Sequence, residues 1–151
     1  MNDSLLWSAR AFIYERFAAT AHAPSAADIA QQFGLSPAGA ENLLQALHDH
    51  HALFLEPGTA PPRVRMANPF SAIATAYAVR VAGQAFWANC AWDTFGIAAA
   101  LHADEAGIRA TCSATGAPVR LRLAHGAVES STAVVHFRLP FQHWYDDLVH
   151  T

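Results

Sequence analysis

A cysteine and an aspartate three residues apart, Cys90 and Asp93, are the residues of this chain best suited to chemistry. The apolar run of residues 94–101 follows them directly and predicts a helix that begins near Cys90. Since positions i and i+3 share a helix face, the thiol and the carboxylate should project the same way. The positive end of a helix favours a thiolate, and Asp93 is well placed to hold or pass a proton near the sulfur.

The same pair also has a structural interpretation. Cys90 can pack as a small buried hydrophobic residue, and Asp93 can act as a first-turn acid that complements the helix dipole. Spacing alone favours this second interpretation, and both stay open at this point. The chemical interpretation carries its own expectation, which is that the Cys90 thiol reacts with alkylating agents faster than the Cys112 thiol.

The composition is that of a globular protein. Of the 151 residues, 53% are hydrophobic and 14% are charged, which suits a chain that buries a core. Two cysteines are too few for a disulfide scaffold. The first residues lack the basic and apolar regions of a signal peptide, and no apolar run has the length of a membrane span. We therefore expect a cytoplasmic protein with reduced thiols and no membrane contact.

The first part of the chain predicts three helices followed by a two-stranded ribbon. Ser25 and Ser36 occupy N-cap positions ahead of the second and third helices. Short apolar strands are expected after the third helix, at 52–55 and 63–66. Three helices and a ribbon form the outline of a winged helix-turn-helix. Residues 1–67 are therefore expected to form a winged-helix-like helical module.

The charges of this module argue against DNA binding. Residues 1–60 carry two arginines against six acidic residues, a net charge of −4, and the third helix contains no arginine. Only Arg63 and Arg65, on the second ribbon strand, could meet a phosphate. Because affinity for DNA comes largely from cations at phosphates, we expect no nucleic-acid partner and a packing role for the module.

The end of the third helix carries a cluster of histidines, His48-Asp49-His50-His51. Histidine is a common metal ligand, so the cluster could bind a metal. Histidines at a helix C-terminus also stay solvated and favour the helix dipole. We expect the solvated arrangement here.

From residue 68 the pattern changes to strands around one helix. The helix of residues 90–101 is apolar on nearly every side, which predicts that it is buried. The expected fold class is α+β, with the winged-helix-like module followed by a small mixed α/β domain over residues 68–151 that contains this central helix. Strands are expected at 77–81, 84–87, 108–112, 119–123 and 132–137, and a last segment begins at Trp144.

Two motifs in this order resemble the organomercurial (alkylmercury) lyase family. The first is Asn-Cys-Ala-Trp-Asp at residues 89–93, ahead of an apolar helix, and the second is Thr-Cys-Ser-Ala-Thr-Gly-Ala-Pro at residues 111–118. The Cys-x-x-Asp element alone is weak, but the two motifs together are fairly specific. The resemblance also takes in the helical module, the Asn-Pro-Phe-Ser junction at 68–71 and residues 135–147, so it covers nearly the whole chain.

The resemblance implies protonolysis of a carbon–mercury bond, which yields a hydrocarbon and Hg(II). By position, Cys90 would be the first mercury-binding thiol and Asp93 the carboxylate that handles the proton. Cys112 matches a cysteine of the family that usually has a structural role. The implied partners are a small organomercurial and cellular thiols, and no cofactor is expected. The residue types agree, because mercury is soft and prefers thiolate and a carboxyl can act as general acid.

One departure from the family is expected at the end of the chain. The family's second mercury-binding cysteine falls just after the segment that matches residues 146–151, and this sequence stops at Thr151. One thiolate is enough to bind an organomercurial, whereas breaking the carbon–mercury bond is expected to need a second donor. Two alternatives therefore stand beside an active lyase: a non-catalytic mercurial- or thiol-responsive binding protein, and a winged-helix DNA-binding regulator.

Overall fold

The computed structural model describes residues 3–137 and 139–146. Within them, eight strands form one antiparallel sheet in the order β1-β2-β3-β5-β4-β6-β7-β8. The helices are α1 (Asp3–Thr20), α2 (Ala26–Phe33), α3 (Pro37–Asp49) and α4 (Ala91–Ala100), with a 3₁₀ helix at Phe141–Asp146. The strands are β1 (Phe54–Leu55), β2 (Val64–Ala67), β3 (Phe70–Ser71), β4 (Tyr77–Val81), β5 (Gln84–Ala88), β6 (Glu105–Thr111), β7 (Pro118–Ala124) and β8 (Ala127–Val128).

The predicted N-caps of α2 and α3 are confirmed. Ser25 Oγ accepts a hydrogen bond from the backbone N–H of Asp28 at 3.1 Å, and the Asp28 carboxylate accepts one from the Ser25 N–H at 2.8 Å. This reciprocal pair is a capping box. Ser36 Oγ accepts from the Gly39 N–H at 3.1 Å, so both helices begin where their polar caps lie in the sequence.

The predicted ribbon of β1 and β2 forms, and it continues into the rest of the sheet. β2 pairs with β3, where Ala67 lies opposite Phe70, and β3 then pairs with β5. The Phe70 ring stacks on Phe17 of α1 at 5.3 Å and contacts Phe86 of β5 at 6.0 Å. One hydrophobic core therefore runs from the three N-terminal helices to the sheet. The two-domain division and the winged-helix character stay predictions.

Helix α4 lies on the middle of the sheet, against β4, β5 and β6. It buries Thr94, Ile97 and Ala98, whereas Trp92 is 54% exposed and Ala99 is exposed. The prediction of a buried helix is therefore correct for one face of α4 only. Much of the apolar character of α4 comes from alanine, which is tolerated at a surface, so only one face of the helix is covered.

The strand predicted at residues 132–137 is also wrong. These residues are irregular, and Val134 is 87% exposed. The outer side of β7 pairs instead with the short strand β8. Residues 132–137 therefore have no free edge of β7 to pair with, and a β-branched run forms a strand only where a sheet edge and a packing surface are available. The last predicted segment lies partly in the 3₁₀ helix, and residues 147–151 lie outside the described residues.

The described residues contain neither a helix suited to span a membrane nor a side-chain cluster suited to a metal ion. None of the helices found there combines the length and apolarity that crossing a membrane requires. No group of three or more His, Cys, Asp or Glu side chains in that part of the chain is arranged to hold a metal ion. In the histidine cluster, the His48 ring packs on Phe54 at 5.1 Å, while His50 and His51 are exposed at the end of α3.

Candidate active site

Cys90 lies at the N-cap of α4, two residues after the end of β5. The hydroxyl of Thr75 donates a hydrogen bond to the carbonyl oxygen of Ala88 at 2.7 Å and so fixes the end of the strand. The Cys90 backbone is extended, with φ −143° and ψ 179°, and the helix begins at Ala91. This change from strand to helix leaves the Cys90 side chain half-buried at the sheet–helix junction.

The predicted arrangement of Cys90 and Asp93 on one helix face is present. Cys90 Sγ donates a hydrogen bond to Asp93 Oδ2 across 3.5 Å, and the Asp93 side chain is half-buried in the first turn of α4. This separation lies within hydrogen-bonding range for sulfur, so the two groups can exchange a proton directly. Their roles in a reaction stay predictions.

The thiol of Cys90 is not activated in the way expected from its position. Burial, together with the Asp93 carboxylate, raises the pKa of Cys90 to about 11. The backbone amides of Asp93 and Trp92 lower this pKa, as expected for a helix N-terminus, but they are outweighed. The expectation of a thiolate-like Cys90 is therefore corrected, because desolvation and a neighbouring negative charge both favour the protonated thiol.

Asp93 is itself shifted toward its protonated form. Burial raises the pKa of the Asp93 carboxyl above its usual range, although hydrogen bonds from Cys90 and Asn89 act in the opposite direction. A carboxyl with a raised pKa is a better proton acceptor when ionised and is more readily kept protonated. Cys90 and Asp93 thus share surroundings that raise the pKa of both groups.

Cys112 lies in a different setting, directly after β6. Its backbone N–H donates to Ala117 and its carbonyl oxygen accepts from Gly116, both at 2.8 Å, which closes the turn of residues 112–117 before β7. The side chain of Thr115 makes the largest contribution to a lowered pKa of the Cys112 thiol, followed by backbone hydrogen bonds from Ala114 and Thr115. Both cysteines are free thiols, and the prediction that Cys90 is the more reactive of the two has no electrostatic support.

Two asparagines that the sequence analysis left without a role lie beside the pair. Asn89 Nδ2 donates to Asn68 Oδ1 at 2.8 Å, and hydrogen bonding from the Asn89 side chain acts to lower the pKa of Asp93. The carbonyl oxygen of Asn68 accepts from the Tyr14 hydroxyl of α1 at 2.8 Å. The only sequence signal was position, since Asn89 directly precedes Cys90 and Asn68 opens the junction before β3.

Aromatic rings that are exposed or half-buried cluster at the start of α4. Trp92 contacts Phe95 with ring centroids 6.3 Å apart and Phe137 at 6.0 Å, and Phe137 stacks on Trp144 at 5.4 Å. The irregular segment after β8 therefore returns to the first turn of the helix that carries Asp93. The described part of this segment adds apolar surface next to the polar pair.

Comparison with known proteins identifies the family. The alkylmercury lyase (MerB) family matches residues 70–151, which is more than half of the chain and contains both Cys90 and Asp93. The chain belongs to the alkylmercury lyase family.

A solved relative agrees with the family in its fold. The crystal structure of the mercury-bound form of MerB2 is similar over 87% of this chain, with a TM-score of 0.67 and 18% sequence identity. At that identity the similarity supports a shared fold and nothing further. This chain covers 61% of the MerB2 chain, so it spans less than two thirds of that protein. Among curated proteins, none matches the sequence.

The alkylmercury lyase match begins at Phe70, inside the sheet rather than at its edge. The likeness to MerB2 extends over more of the chain than the matched residues do, which agrees with a core shared between the N-terminal helices and the sheet. The arrangement of Cys90 and Asp93 can bind a soft metal through sulfur and move a proton next to it.

Proposed function

We propose that this protein cleaves the carbon–mercury bond of organomercurials by protonolysis. The observation that carries the proposal is the 3.5 Å hydrogen bond between Cys90 Sγ and Asp93 Oδ2, in a chain of the alkylmercury lyase family. A soft sulfur ligand and a proton carrier in direct contact are two of the groups that this reaction requires.

The first step exchanges a proton for mercury on Cys90. The pKa of about 11 keeps the Cys90 thiol protonated at neutral pH. When the sulfur bonds to the mercury of an organomercurial cation, the thiol proton passes to the adjacent Asp93 carboxylate. A sulfur–mercury bond forms and a sulfur–hydrogen bond breaks, so the pair keeps the proton that the next step consumes.

The second step returns this proton to carbon. Protonated Asp93 donates to the mercury-bound carbon, and the electron pair of the carbon–mercury bond becomes that of the new carbon–hydrogen bond. Hydrocarbon leaves, Hg(II) stays on the Cys90 sulfur, and Asp93 is again a carboxylate. Mercury keeps its oxidation state, so no redox partner is needed. A raised pKa of the Asp93 carboxyl suits this role, because the acid must hold its proton until the carbon accepts it.

A cellular thiol completes the cycle in this proposal. Hg(II) binds sulfur strongly, so a second thiol is the group best able to weaken the carbon–mercury bond and then remove the product ion. A compartment with reduced thiols, such as the cytoplasm, would supply that partner.

Hydrocarbon release tests the proposal. Purified protein is incubated with phenylmercury acetate and excess glutathione, and benzene in the headspace is measured by gas chromatography against a blank with glutathione alone. We expect benzene from the wild-type protein, none above the blank from Cys90→Ser, and continued release from the matched variant Cys112→Ser. Stoichiometric mercurial binding to Cys90 without benzene would favour the non-catalytic binding protein instead.

We further infer that residues 1–67 are a winged-helix-like module that shields the sheet rather than a DNA reader. Arg65 forms an ion pair with Glu56 at 2.9 Å, which leaves Arg63 as the exposed arginine of the ribbon. Helix α3 turns its leucines into the core and offers uncharged Asn42 and Gln45 to solvent. A gel shift of the full chain with duplex DNA at low salt should show no complex; micromolar, salt-sensitive binding would overturn the inference.

A further inference from the structure

We propose that Asn68 and Asn89 are positioning residues that together hold the Asp93 carboxyl against the Cys90 thiol. The inference rests on the proposed lyase function, and it assigns a task to two side chains outside the thiol–carboxylate pair. Four observations carry it: the hydrogen bond between the two amides, the anchoring of Asn68, the packing of Pro69 on α4, and an unpaired oxygen of Asn89.

The side-chain amide of Asn89 can serve two acceptors at once. Its Nδ2 carries two hydrogens, and one is donated to Asn68 Oδ1 at 2.8 Å. The Asn89 side chain also acts to lower the pKa of the Asp93 carboxyl, as a hydrogen-bond donor beside it does. Because Asn89 lies just before the helix and Asp93 lies within its first turn, this amide restrains the carboxyl from the side of the preceding strand.

Asn68 is held in turn by the N-terminal helix. Its backbone carbonyl oxygen accepts from the Tyr14 hydroxyl at 2.8 Å, and Arg10 donates to that hydroxyl at 3.2 Å. The Arg10 guanidinium also lies over the Tyr14 ring, 4.3 Å from its centroid, a favourable cation–π contact. A chain of contacts therefore runs from α1 through two asparagines to Asp93.

Pro69, next to Asn68, packs directly on α4. A Cβ atom at Gly96 would lie 2.9 Å from the Pro69 Cβ, closer than such atoms approach, so the helix comes this near only because residue 96 is glycine. Gly96 lies three residues after Asp93 and thus on the same helix face. The segment of residues 68–69 therefore reaches Asn89, just before α4, and Gly96 within it, two positions that flank Asp93 in the sequence.

The unpaired atom of Asn89 points to a role beyond packing. No donor within the described residues reaches its buried Oδ1, and leaving a buried acceptor unsatisfied is destabilising. Such atoms in native proteins are few, and each calls for an explanation. Here the orientation that leaves Oδ1 unpaired is the one that gives Nδ2 to Asn68.

The first test separates binding from bond cleavage. In single-turnover reactions with phenylmercury, Asn89→Ala and Asn68→Ala should still load mercury on Cys90, measured by intact mass, but release benzene roughly 10- to 100-fold more slowly. The exposed Asn42→Ala on α3 is the matched control and should release benzene at the wild-type rate. Equal rates in all three variants would overturn the inference.

The direction of the hydrogen bond predicts an asymmetry between two aspartate variants. Asn68 accepts from Asn89, so Asn68→Asp keeps an acceptor and should restore much of the release that Asn68→Ala loses. Asn89→Asp cannot donate and adds a negative charge beside Asp93, so it should release benzene no faster than Asn89→Ala. Rescue by Asn89→Asp, or none by Asn68→Asp, would contradict the assigned donor and acceptor.

A labelling measurement decides the inference even if the wild-type protein releases no benzene. With iodoacetamide, Asn89→Ala should raise the labelling rate of Cys90 several-fold relative to Cys112 in the same molecule, because an unrestrained Asp93 no longer holds a negative charge at the sulfur. In the Asp93→Asn background the same substitution should add nothing, since the residue acts through Asp93. An equal effect in both backgrounds would mean that Asn89 only tightens the local fold.

Discussion

The two cysteines of this protein lie in regions that act on a thiol in opposite ways. At the start of α4, burial and the Asp93 carboxylate raise the pKa of Cys90 to about 11. In the turn after β6, hydrogen bonds led by that from the Thr115 side chain lower the pKa of Cys112. The thiol in the proposed active site is thus the one with the smaller thiolate fraction.

This difference separates general thiol reactivity from fitness for protonolysis. A reagent such as iodoacetamide reacts with thiolate, so the Cys112 region favours it. Protonolysis instead consumes a proton, and a sulfur that has already lost its proton to solvent has none to pass to Asp93. In the proposed mechanism, the region around Cys90 keeps a proton between sulfur and carboxylate, and Asp93 holds that proton once mercury takes its place on sulfur.

The largest expected effect comes from removing the carboxylate of the α4 region. Asp93→Asn should still bind mercurial through Cys90, but it should lose hydrocarbon release by about 100-fold or more, because the amide cannot deliver the proton. Benzene formation and mercury loading, measured on the same sample, separate the two effects.

A substitution in the Cys112 region is the matched comparison. Thr115→Val removes the hydroxyl that acts on Cys112 and lies outside the proposed machinery, so release should stay at the wild-type rate. If Asp93→Asn kept wild-type release, the proton would come from another group and the contrast between the two regions would lose its chemical meaning.

The second effect is the order of labelling. At pH 8, Cys112 should be alkylated at least about tenfold faster than Cys90, since each pKa unit changes the thiolate fraction tenfold below the pKa. Labelling of Cys112 should also persist to lower pH than that of Cys90. Brief exposure to iodoacetamide followed by peptide mass mapping measures both rates.

Variants move the two rates independently. Asp93→Asn removes a charge that raises the pKa of Cys90, so Cys90 labelling should accelerate while Cys112 labelling stays the same. Thr115→Val should slow Cys112, and Thr115→Ser, which keeps the hydroxyl, should restore it. Faster labelling of Cys90 in the wild-type protein would reverse the comparison.

Local signals in the sequence predicted much of the fold. The capping residues Ser25 and Ser36 act through hydrogen bonds three residues away, and the β4–β5 hairpin follows from alternation around Gly83, whose φ is +85°. Residues 132–137 were mistaken for a strand because their β-branched composition says nothing about which sheet edge is free. The coverage of α4 on one face only was likewise set by contacts distant in sequence.

In the candidate site, too, the local sequence predicted some features, whereas others depend on contacts made by the whole fold. Helical periodicity was enough to bring Cys90 and Asp93 together. It did not predict the pKa of Cys90, because burial outweighs the helix terminus and burial depends on the whole fold. Asn68 reaches Asn89 across the sheet junction, a contact that no local pattern encodes.

Two glycines, one in each region, allow a third comparison, in which the expected effect is a smaller change in the free energy of unfolding. Gly96→Ala should destabilise the protein by about 1–3 kcal/mol through the clash with Pro69, partly offset by roughly 1 kcal/mol of helix propensity. Gly116→Ala has open space but a φ of +71°, so it should cost about 1–2 kcal/mol through backbone strain alone. Denaturant unfolding measures both free energies.

Substitution by asparagine distinguishes the clash at position 96 from the backbone strain at position 116. It tolerates the left-handed backbone conformation, so Gly116→Asn should be milder than Gly116→Ala. At position 96 the larger side chain adds to the clash, so Gly96→Asn should be worse than Gly96→Ala. The same order at both positions would mean that one of the two explanations is wrong.

The smallest expected effect is on stability and its dependence on pH. Burial raises the pKa of Asp93 in the folded protein, so folding favours the protonated carboxyl. The resulting stability is fully present below the unfolded pKa of about 3.9 and is lost as pH rises through the folded pKa. At pH 7 the ionised Asp93 therefore destabilises the fold, and Asp93→Asn should raise the melting temperature by a few degrees.

This gain should shrink as the pH falls toward 4, where Asp93 is protonated in the wild-type protein too. Cys90 does not disturb the comparison between pH 4 and pH 7, because its contribution to stability changes only between its unfolded pKa of about 8.5 and its folded pKa of about 11. The exposed Asp104→Asn, just before β6, controls for the loss of one negative charge and should change the melting temperature little at either pH. A gain from Asp93→Asn that is equal at pH 4 and pH 7 would show that ionisation of Asp93 carries no cost in the fold. The α4 region would then lack the free-energy cost of a buried ionised carboxylate, which distinguishes it from the turn around Cys112.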